Sequence, residues 1–128
     1  MVENLDYKPK IELFTNIEQC SVQEVFDFVV DHLRKQGRPA KSEDEHCFYF
    51  DGVTGNRCAV GCLISSEKYE VNFEGVGVDS IYDGNKLDLL EFLQGIHDDY
   101  KVEEWEKKFK QLAIECDLSY SPPANSLP

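Results

Sequence analysis

The chain has 128 residues, 41% of them apolar, which suffices for one compact core and is too short for two ordinary domains. Its 25 acidic residues outnumber the 13 basic ones, and the formal net charge of -12 repels nucleic acid and anionic lipid. No run approaches the roughly 18 apolar residues of a membrane span, and the N-terminus lacks a signal-peptide pattern. We therefore expect one acidic, soluble, cytoplasmic domain that binds neither nucleic acid directly nor membrane.

Cysteine usage points to a reducing compartment. The count of five is odd, and a secreted disulfide framework normally uses an even number. Three of these cysteines fall between Cys47 and Cys62, around a glycine-containing turn. Special chemistry in this protein is therefore expected to start in this Cys-rich segment.

The first clear element is an amphipathic helix. Residues 1–19 alternate only weakly in hydrophobicity, which predicts an N-terminal arm or an edge strand. Ser21 and Glu24 then form a capping-box pattern, and apolar residues follow at three- and four-residue spacing as far as Leu33. Gly37 is typical of a helix end, so we predict a helix between Ser21 and Gly37.

A short β-hairpin is expected next. The aromatic segment 47–50 favours a strand, and the turn residues of 51–56 would reverse the chain so that it returns through Arg57. Residues 58–64 fit either a second strand or a short buried helix capped by Asn56. We favour the helix, because Ala59 and Gly61 are poor strand residues and small enough to let a neighbouring element approach closely.

The C-terminal half predicts two more helices. Residues 67–86 contain three glycines and indicate an irregular connection with a strand fragment at 75–78. Apolar periodicity then marks helices over 87–100 and 102–116, with Asp98 and Asp99 ending the first and capping the second. Residues 119–128 predict a disordered tail. The predicted fold is α+β, a mainly helical single globular domain over 20–118 with about three amphipathic helices, a short β-hairpin and the Cys-rich segment.

A thiol site centred on Cys58 is the first functional hypothesis. If Asn56 caps a helix, Cys58 lies in its first turn, where free N–H groups and the helix dipole stabilise a thiolate. His97 would act as base and Asp98 would orient it, as in acyl-transfer sites. The alternative, which we favour, is that Cys58 and Cys62 are small buried hydrophobes on one face.

Zinc binding is a second hypothesis. The tetrahedral site would use Cys47, Cys58 and Cys62 with a fourth ligand from His46, His97 or Cys116. The chain lacks the two closely spaced ligand pairs of common zinc domains, so we assign no metal and no cofactor. Arg57, between the turn and the cysteines, is placed to hold a carboxylate or phosphate, or to form a structural salt bridge.

Several of these motifs together resemble an uncharacterised family of small phage and bacterial proteins. That pattern has an amphipathic helix ending in HLxxQGR, a Cys-x-Tyr segment, Asp-Gly, a (K/R)CAVGCLI core, Glu-Gly, an LQxIHD motif and a Trp-containing helix. The matching positions are 32–38, 47–49, 51–52, 57–64, 74–75, 93–98 and Trp105. The resemblance covers residues 21–117 and departs at Ile64-Ser65, where the family pattern has Ile-Pro.

The resemblance implies a small accessory protein of viral or mobile-element origin and carries no established activity. Common enzyme signatures are absent from the sequence, which favours a protein that is not an enzyme. We therefore expect it to act by binding another protein, one with a basic surface, as an inhibitor of a host factor. The alternatives are a thiol-dependent hydrolase or transferase and a small structural zinc domain.

Overall fold

Three α-helices form the frame of the protein. The computed structural model describes residues 7–123, in which α1 spans Val22–Gln36, α2 spans Leu87–Asp99 and α3 spans Val102–Glu115. One single turn of 3-10 helix precedes α1, at Ile17–Gln19, and the connection between α1 and α2 contains three more, at Gly61–Leu63, Val71–Phe73 and Val78–Ser80. Residues 7–123 contain no β-strand, so the predicted α+β class is wrong for the part of the chain that is described. None of the helices described is long and apolar enough to cross a membrane.

Helix α1 begins and ends as its sequence predicts. Ser21 Oγ accepts a hydrogen bond from the Glu24 amide at 3.0 Å, and the Glu24 carboxylate accepts one from the Ser21 amide at 2.7 Å. Gly37 ends the helix in the left-handed conformation, with φ of 69°. The buried face carries the predicted apolar residues Val25, Phe26, Val29, Val30 and Leu33.

Helices α2 and α3 form the tight pair that the sequence predicts, although the predicted cap of α3 is wrong. Only Tyr100 and Lys101 separate the two helices, and the N-cap of α3 is Lys101 rather than an aspartate. Glu104 in the first turn accepts a hydrogen bond from the Lys101 amide at 3.1 Å. Trp105, 3% exposed, donates its indole N–H to the Tyr100 carbonyl at 3.1 Å and fixes the link.

The predicted β-hairpin is absent because backbone pairing across the turn is limited to one bridge, beside which Asp51 and Cys58 donate to the Asn56 and Tyr49 carbonyls at 2.9 and 3.3 Å. Within residues 7–123 only two isolated bridges form, Lys41 with Cys47 and Phe50 with Arg57. The amides of Tyr49 and Phe50 both donate to the Glu74 carboxylate, at 3.0 and 3.1 Å. A hairpin requires successive backbone pairs between its strands, and here that pairing stops after one.

Two glutamine side chains of α1 also form hydrogen bonds with the backbone of other segments. The Arg57 amide donates to Gln36 Oε1 at 2.8 Å, and Gln36 Nε2 donates to the Arg57 carbonyl at 2.9 Å. Gln23 makes the same double contact with Ser119, at 2.8 and 3.0 Å. The predicted disordered tail thus begins with a residue bonded to α1, while residues 124–128 lie outside the described part.

The Cys-rich segment is the centre of the core. Residues 58–64 are fully buried and make one turn of 3-10 helix, Gly61–Leu63, where the sequence predicted a short helix capped by Asn56. The N-cap is Val60. A Cβ atom on Gly61 would lie 1.8 Å from the Tyr49 carbonyl oxygen, so the close approach predicted for this glycine is confirmed.

The N-terminal segment packs on this centre. Ile11, Leu13 and Ile17 are buried, and the Leu13 amide donates to the Leu63 carbonyl at 2.7 Å. The segment was predicted as an arm or an edge strand, and its described residues form turns and one 3-10 helix instead of a strand. Residues 1–6 lie outside the described part.

Candidate functional site

Cys58, the predicted nucleophile, lies inside the core as a neutral thiol. It is 0% exposed, and its sulfur accepts a hydrogen bond from the Gly61 amide at 3.2 Å. Burial raises the pKa of Cys58 to about 12. At pH 7 the thiolate fraction would be about 10⁻⁵, too small for efficient nucleophilic attack.

His97, the predicted base, is fully buried in α2 with both ring nitrogens engaged. The Ala40 amide donates to Nε2 at 2.9 Å, and Nδ1 lies 2.7 Å from Asp98 Oδ1. A backbone N–H can only donate, so Nε2 carries no proton and Nδ1 donates its proton to Asp98. His97 is therefore a neutral imidazole in one fixed tautomer, stacked at 6.0 Å on Trp105.

Asp98 is the hub of this cluster. Its Oδ1 accepts from His97 and from Gln94 Nε2, at 2.7 and 2.8 Å, and the Cys47 sulfur lies within 4.8 Å of the carboxylate and the imidazole. Burial alone would raise the pKa of Asp98, but the hydrogen bonds from His97, Cys47 and Gln94 outweigh burial and lower the pKa. Burial, and then the charge of Asp98, raise the pKa of Cys47 to about 12.

The order of these groups differs from that of a catalytic triad. In a triad the histidine stands between the thiol and the carboxylate, so that it can remove the thiol proton. Here Asp98 stands between Cys47 and His97, and Cys47 rather than Cys58 is the thiol that approaches it. The Cys58–His97–Asp98 assignment stays a prediction, and the described geometry gives His97 no free nitrogen with which to act as its base.

The same three side chains are spaced as metal ligands could be. Among residues 7–123, Cys47, His97 and Asp98 form the one group whose ligand atoms all lie within 4.8 Å of one another. A metal on Nδ1 of His97 would require the ring proton on Nε2, where the Ala40 N–H already points. The fixed tautomer thus favours a hydrogen-bonded cluster that ties the end of α2 to residues 40–47.

The other predicted zinc ligands are dispersed. The Cys62 sulfur donates to the Ala59 carbonyl at 3.1 Å inside the core, and Cys116 lies at the end of α3. His46 is exposed, with its ring 3.4 Å from Asp44. All five cysteines are free thiols.

Arg57, the predicted anion-binding residue, faces into the fold. It is 2% exposed, and its guanidinium carbon lies 3.8 Å from the centre of the Tyr7 ring and 4.3 Å from that of Phe50. It donates to the carbonyls of Gly61 and Ile64, at 3.4 and 3.1 Å. No carboxylate among the described residues forms a salt bridge with it, so aromatic faces and carbonyl dipoles stabilise its charge.

A groove lies between α2 and α3, and the sequence analysis did not identify it. Its volume is about 280 Å³, and Phe92 stands in it with 55% of its surface exposed. Gly95 follows one turn later in α2 and leaves open space in the helix surface. The sequence signal was Phe92 itself, an aromatic residue on the polar side of an amphipathic helix. We call this feature the α2–α3 groove; it is lined by Glu91, Phe92, Gly95, Ile96, Asp99, Tyr100, Lys108, Gln111, Leu112 and Glu115.

Acidic side chains dominate the charge of the groove. Glu91, Asp99 and Glu115 are exposed, whereas Lys108 is the one basic lining residue. The Lys108 ammonium lies 4.4 Å from the centre of the Tyr100 ring. The four charges sum to -2, three negative and one positive, so the groove combines an apolar surface with a negative rim.

Comparisons of this chain with protein-family models, with curated proteins and with solved structures find no match. The resemblance to small phage and bacterial proteins thus stays an expectation drawn from motifs.

Proposed function

We propose that this protein is a small acidic accessory protein of the cytoplasm that acts by binding another protein, and that the α2–α3 groove receives a basic surface of that partner. The observation that carries the proposal is the exposed Phe92 in a groove with an acidic rim. Aromatic anchors at the centre of a contact, surrounded by polar groups, are the usual source of binding energy between proteins.

The size of the groove favours a side chain of a macromolecule over a small molecule. Pockets for drug-sized ligands have volumes of roughly 300–1,000 Å³ and enclose most of the ligand. The α2–α3 groove has about 280 Å³ and lies open between two helices. It fits an aliphatic side chain that a partner inserts from outside.

The charge of the groove favours a basic partner. The lining charges sum to -2 and the whole chain carries -12, so a second copy of this chain would be repelled at short and long range. A partner with lysine or arginine around an apolar centre would be attracted, and complementary charge speeds association. The binding should therefore weaken as salt is added.

Replacement of Phe92 tests the proposal. Wild type, Phe92→Ser and Val53→Ser would be immobilised, and proteins retained from a lysate would be identified, purified and titrated by calorimetry. Val53 is a matched control because it is 84% exposed and does not line the groove. We expect a basic partner whose affinity falls at least tenfold for Phe92→Ser and stays unchanged for Val53→Ser, because truncation of a central aromatic anchor removes most of its contact.

Two results would contradict the proposal. One is a partner that binds wild type and Phe92→Ser equally well. The other is retention of acidic partners alone, or of proteins whose binding does not respond to salt. Folding of each variant would be checked by circular dichroism, so that loss of structure is not read as loss of binding.

A further inference from the structure

We infer that the occupant of the α2–α3 groove is a basic amphipathic helix, one of whose aliphatic side chains enters the space above Gly95. This inference rests on the proposed function and adds the shape and chemistry of the partner segment. Gly95 is a glycine in the interior of α2.

Gly95 is not required by the packing of the protein itself. A Cβ atom built on it would meet one neighbour within 4 Å, the Asp99 carboxylate at 3.9 Å, which is ordinary contact. Gly61 is the opposite case, since its Cβ would lie 1.8 Å from a backbone oxygen. A glycine inside a helix destabilises it relative to alanine. Gly95 therefore lowers the stability of α2, and no contact inside the described fold compensates for that loss. The absence of a side chain leaves space in the groove.

The neighbours of this space define what can enter it. Residues three and four apart lie on one face of a helix, so Phe92 and Glu91 border Gly95 on one side and Asp99 borders it on the other. This space, which we call the notch, has the Asp99 carboxylate beside it, 3.9 Å from the Cβ position of Gly95, and Glu91 about one helical turn away in the other direction. Glu115 of α3 lies on the same groove.

A partner helix matches this pattern in a simple way. Its turns repeat every 5.4 Å, as those of α2 do, so an aliphatic residue at the notch places residues one turn away beside Glu91 and Asp99. Lysine or arginine at those positions would pair with the two carboxylates. An acidic helix would be repelled by the same groups, and a second copy of this chain brings the wrong charge.

Binding of a defined probe tests the inference. The probe is a fluorescently labelled synthetic helical peptide with leucines on one face and lysines flanking them, and its counterpart carries glutamates in place of the lysines. Binding is followed by fluorescence anisotropy at low and moderate salt. We expect the lysine peptide to bind, more weakly as salt rises, and the glutamate peptide to bind at least tenfold more weakly.

Substitution of Gly95 separates stability from binding. We expect Gly95→Ala to raise the melting temperature, because the helix gains a better residue, and to weaken binding of the lysine peptide several-fold, because the methyl group fills the notch. Gly95→Leu should weaken it at least tenfold. Gly52→Ala is the matched control, since a Cβ there meets only a Phe50 ring atom at 3.9 Å and lies away from the groove.

Each outcome decides one of the two proposals. If Gly95→Ala lowers the melting temperature, or raises it and leaves the affinity for the peptide unchanged, the inference about the notch is overturned. If the lysine peptide does not bind while a Phe92-dependent partner is still found, the helical occupant is wrong and the groove as a docking site stands. If no Phe92-dependent partner is found, the proposed function fails as well.

Discussion

At the scale of single residues, burial decides the chemistry of the cysteines. Cys58 and Cys62 are fully buried, and Cys47 lies against the Asp98 carboxylate. Burial raises the pKa of Cys47 and of Cys58 to about 12 and holds that of Cys62 well above its ordinary value. These thiols therefore behave as small hydrophobic side chains rather than as nucleophiles.

Thiol labelling provides a direct check. With iodoacetamide at pH 8, we expect the partly exposed Cys20 and Cys116 to react first, Cys47 more slowly, and Cys58 and Cys62 only after unfolding. The reason is that a thiol with a pKa near 12 is ionised at about one part in 10⁴ at pH 8. Mass spectrometry of peptides gives the order, and rapid alkylation of Cys58 in the folded protein would instead support the thiol-enzyme alternative.

The Asp98 cluster predicts acid sensitivity. The pKa of Asp98 is lower in the folded protein than its ordinary value of 3.8, so the unfolded chain takes up the proton first as pH falls. The stabilisation is thus complete above the unfolded pKa and is lost as pH falls through the folded one. We expect Asp98→Asn to be less stable than wild type at pH 7 but to lose less stability between pH 5 and pH 2, measured by urea denaturation. Parallel pH profiles for the two proteins would show that Asp98 is not a source of this dependence.

At the scale of elements, two glycines with similar sequence surroundings have opposite roles. Gly61 and Gly95 both lie in apolar or amphipathic segments, but only Gly61 is enclosed by backbone atoms. Its 3-10 turn lies against the backbone of Tyr49, and this contact brings the Cys-rich segment to the centre of the core. Gly95 faces open space and lines the α2–α3 groove at the surface.

Gly61→Ala should severely destabilise the protein. The added methyl group would overlap the Tyr49 carbonyl, and no side-chain rotation can relieve a clash with backbone. We expect a loss of about 3 kcal/mol or more in the free energy of unfolding, or failure to fold. Gly52→Ala, with space around it, should stay within about 0.5 kcal/mol of wild type. Equal stabilities of the two variants, measured by chemical denaturation, would disprove the close approach.

Connections between the helices owe their shape to polar side chains that reach across the chain. Glu74 holds the amides of Tyr49 and Phe50, Gln36 holds both backbone groups of Arg57, and Gln94 accepts from the Val60 amide at 3.0 Å. Such contacts satisfy buried backbone groups that a sheet would otherwise pair. Glu74 thereby occupies the Tyr49 amide, which could otherwise have extended the pairing across the turn.

At the scale of the whole molecule, an acidic surface surrounds a core centred on the Cys-rich segment. If the α2–α3 groove binds a partner as proposed, the net charge of -12 favours a basic one. The core fixes α2 and α3 against each other through Trp105 and the short link, so the groove is held by rigid elements. A docking site on packed helices is already in its binding shape, which reduces the entropy lost on association.

Much of the helical frame was determined by the sequence alone, because helix signals are local. The capping box at Ser21, the glycine after α1 and the apolar periodicity act over three to five residues, and those elements lie where they were predicted. The existence of the α2–α3 pair followed from the same kind of signal. The predicted cap of α3, Asp99, is wrong, and the N-cap is Lys101. No aspartate cap is needed there, because Glu104 inside the helix accepts the hydrogen bond of the Lys101 amide.

Only the tertiary structure decided the connections and the sites. Glu74 reaches amides 24 and 25 residues away, and His97 meets Ala40 across 57, and no local pattern encodes such distances. The packing of the helices decides which thiol approaches Asp98. It also decides whether a glycine lies against backbone atoms, as Gly61 does, or beside open space, as Gly95 does. Helix ends and faces arise from interactions between near neighbours in the chain, whereas the Asp98 cluster and the α2–α3 groove arise from contacts between distant ones.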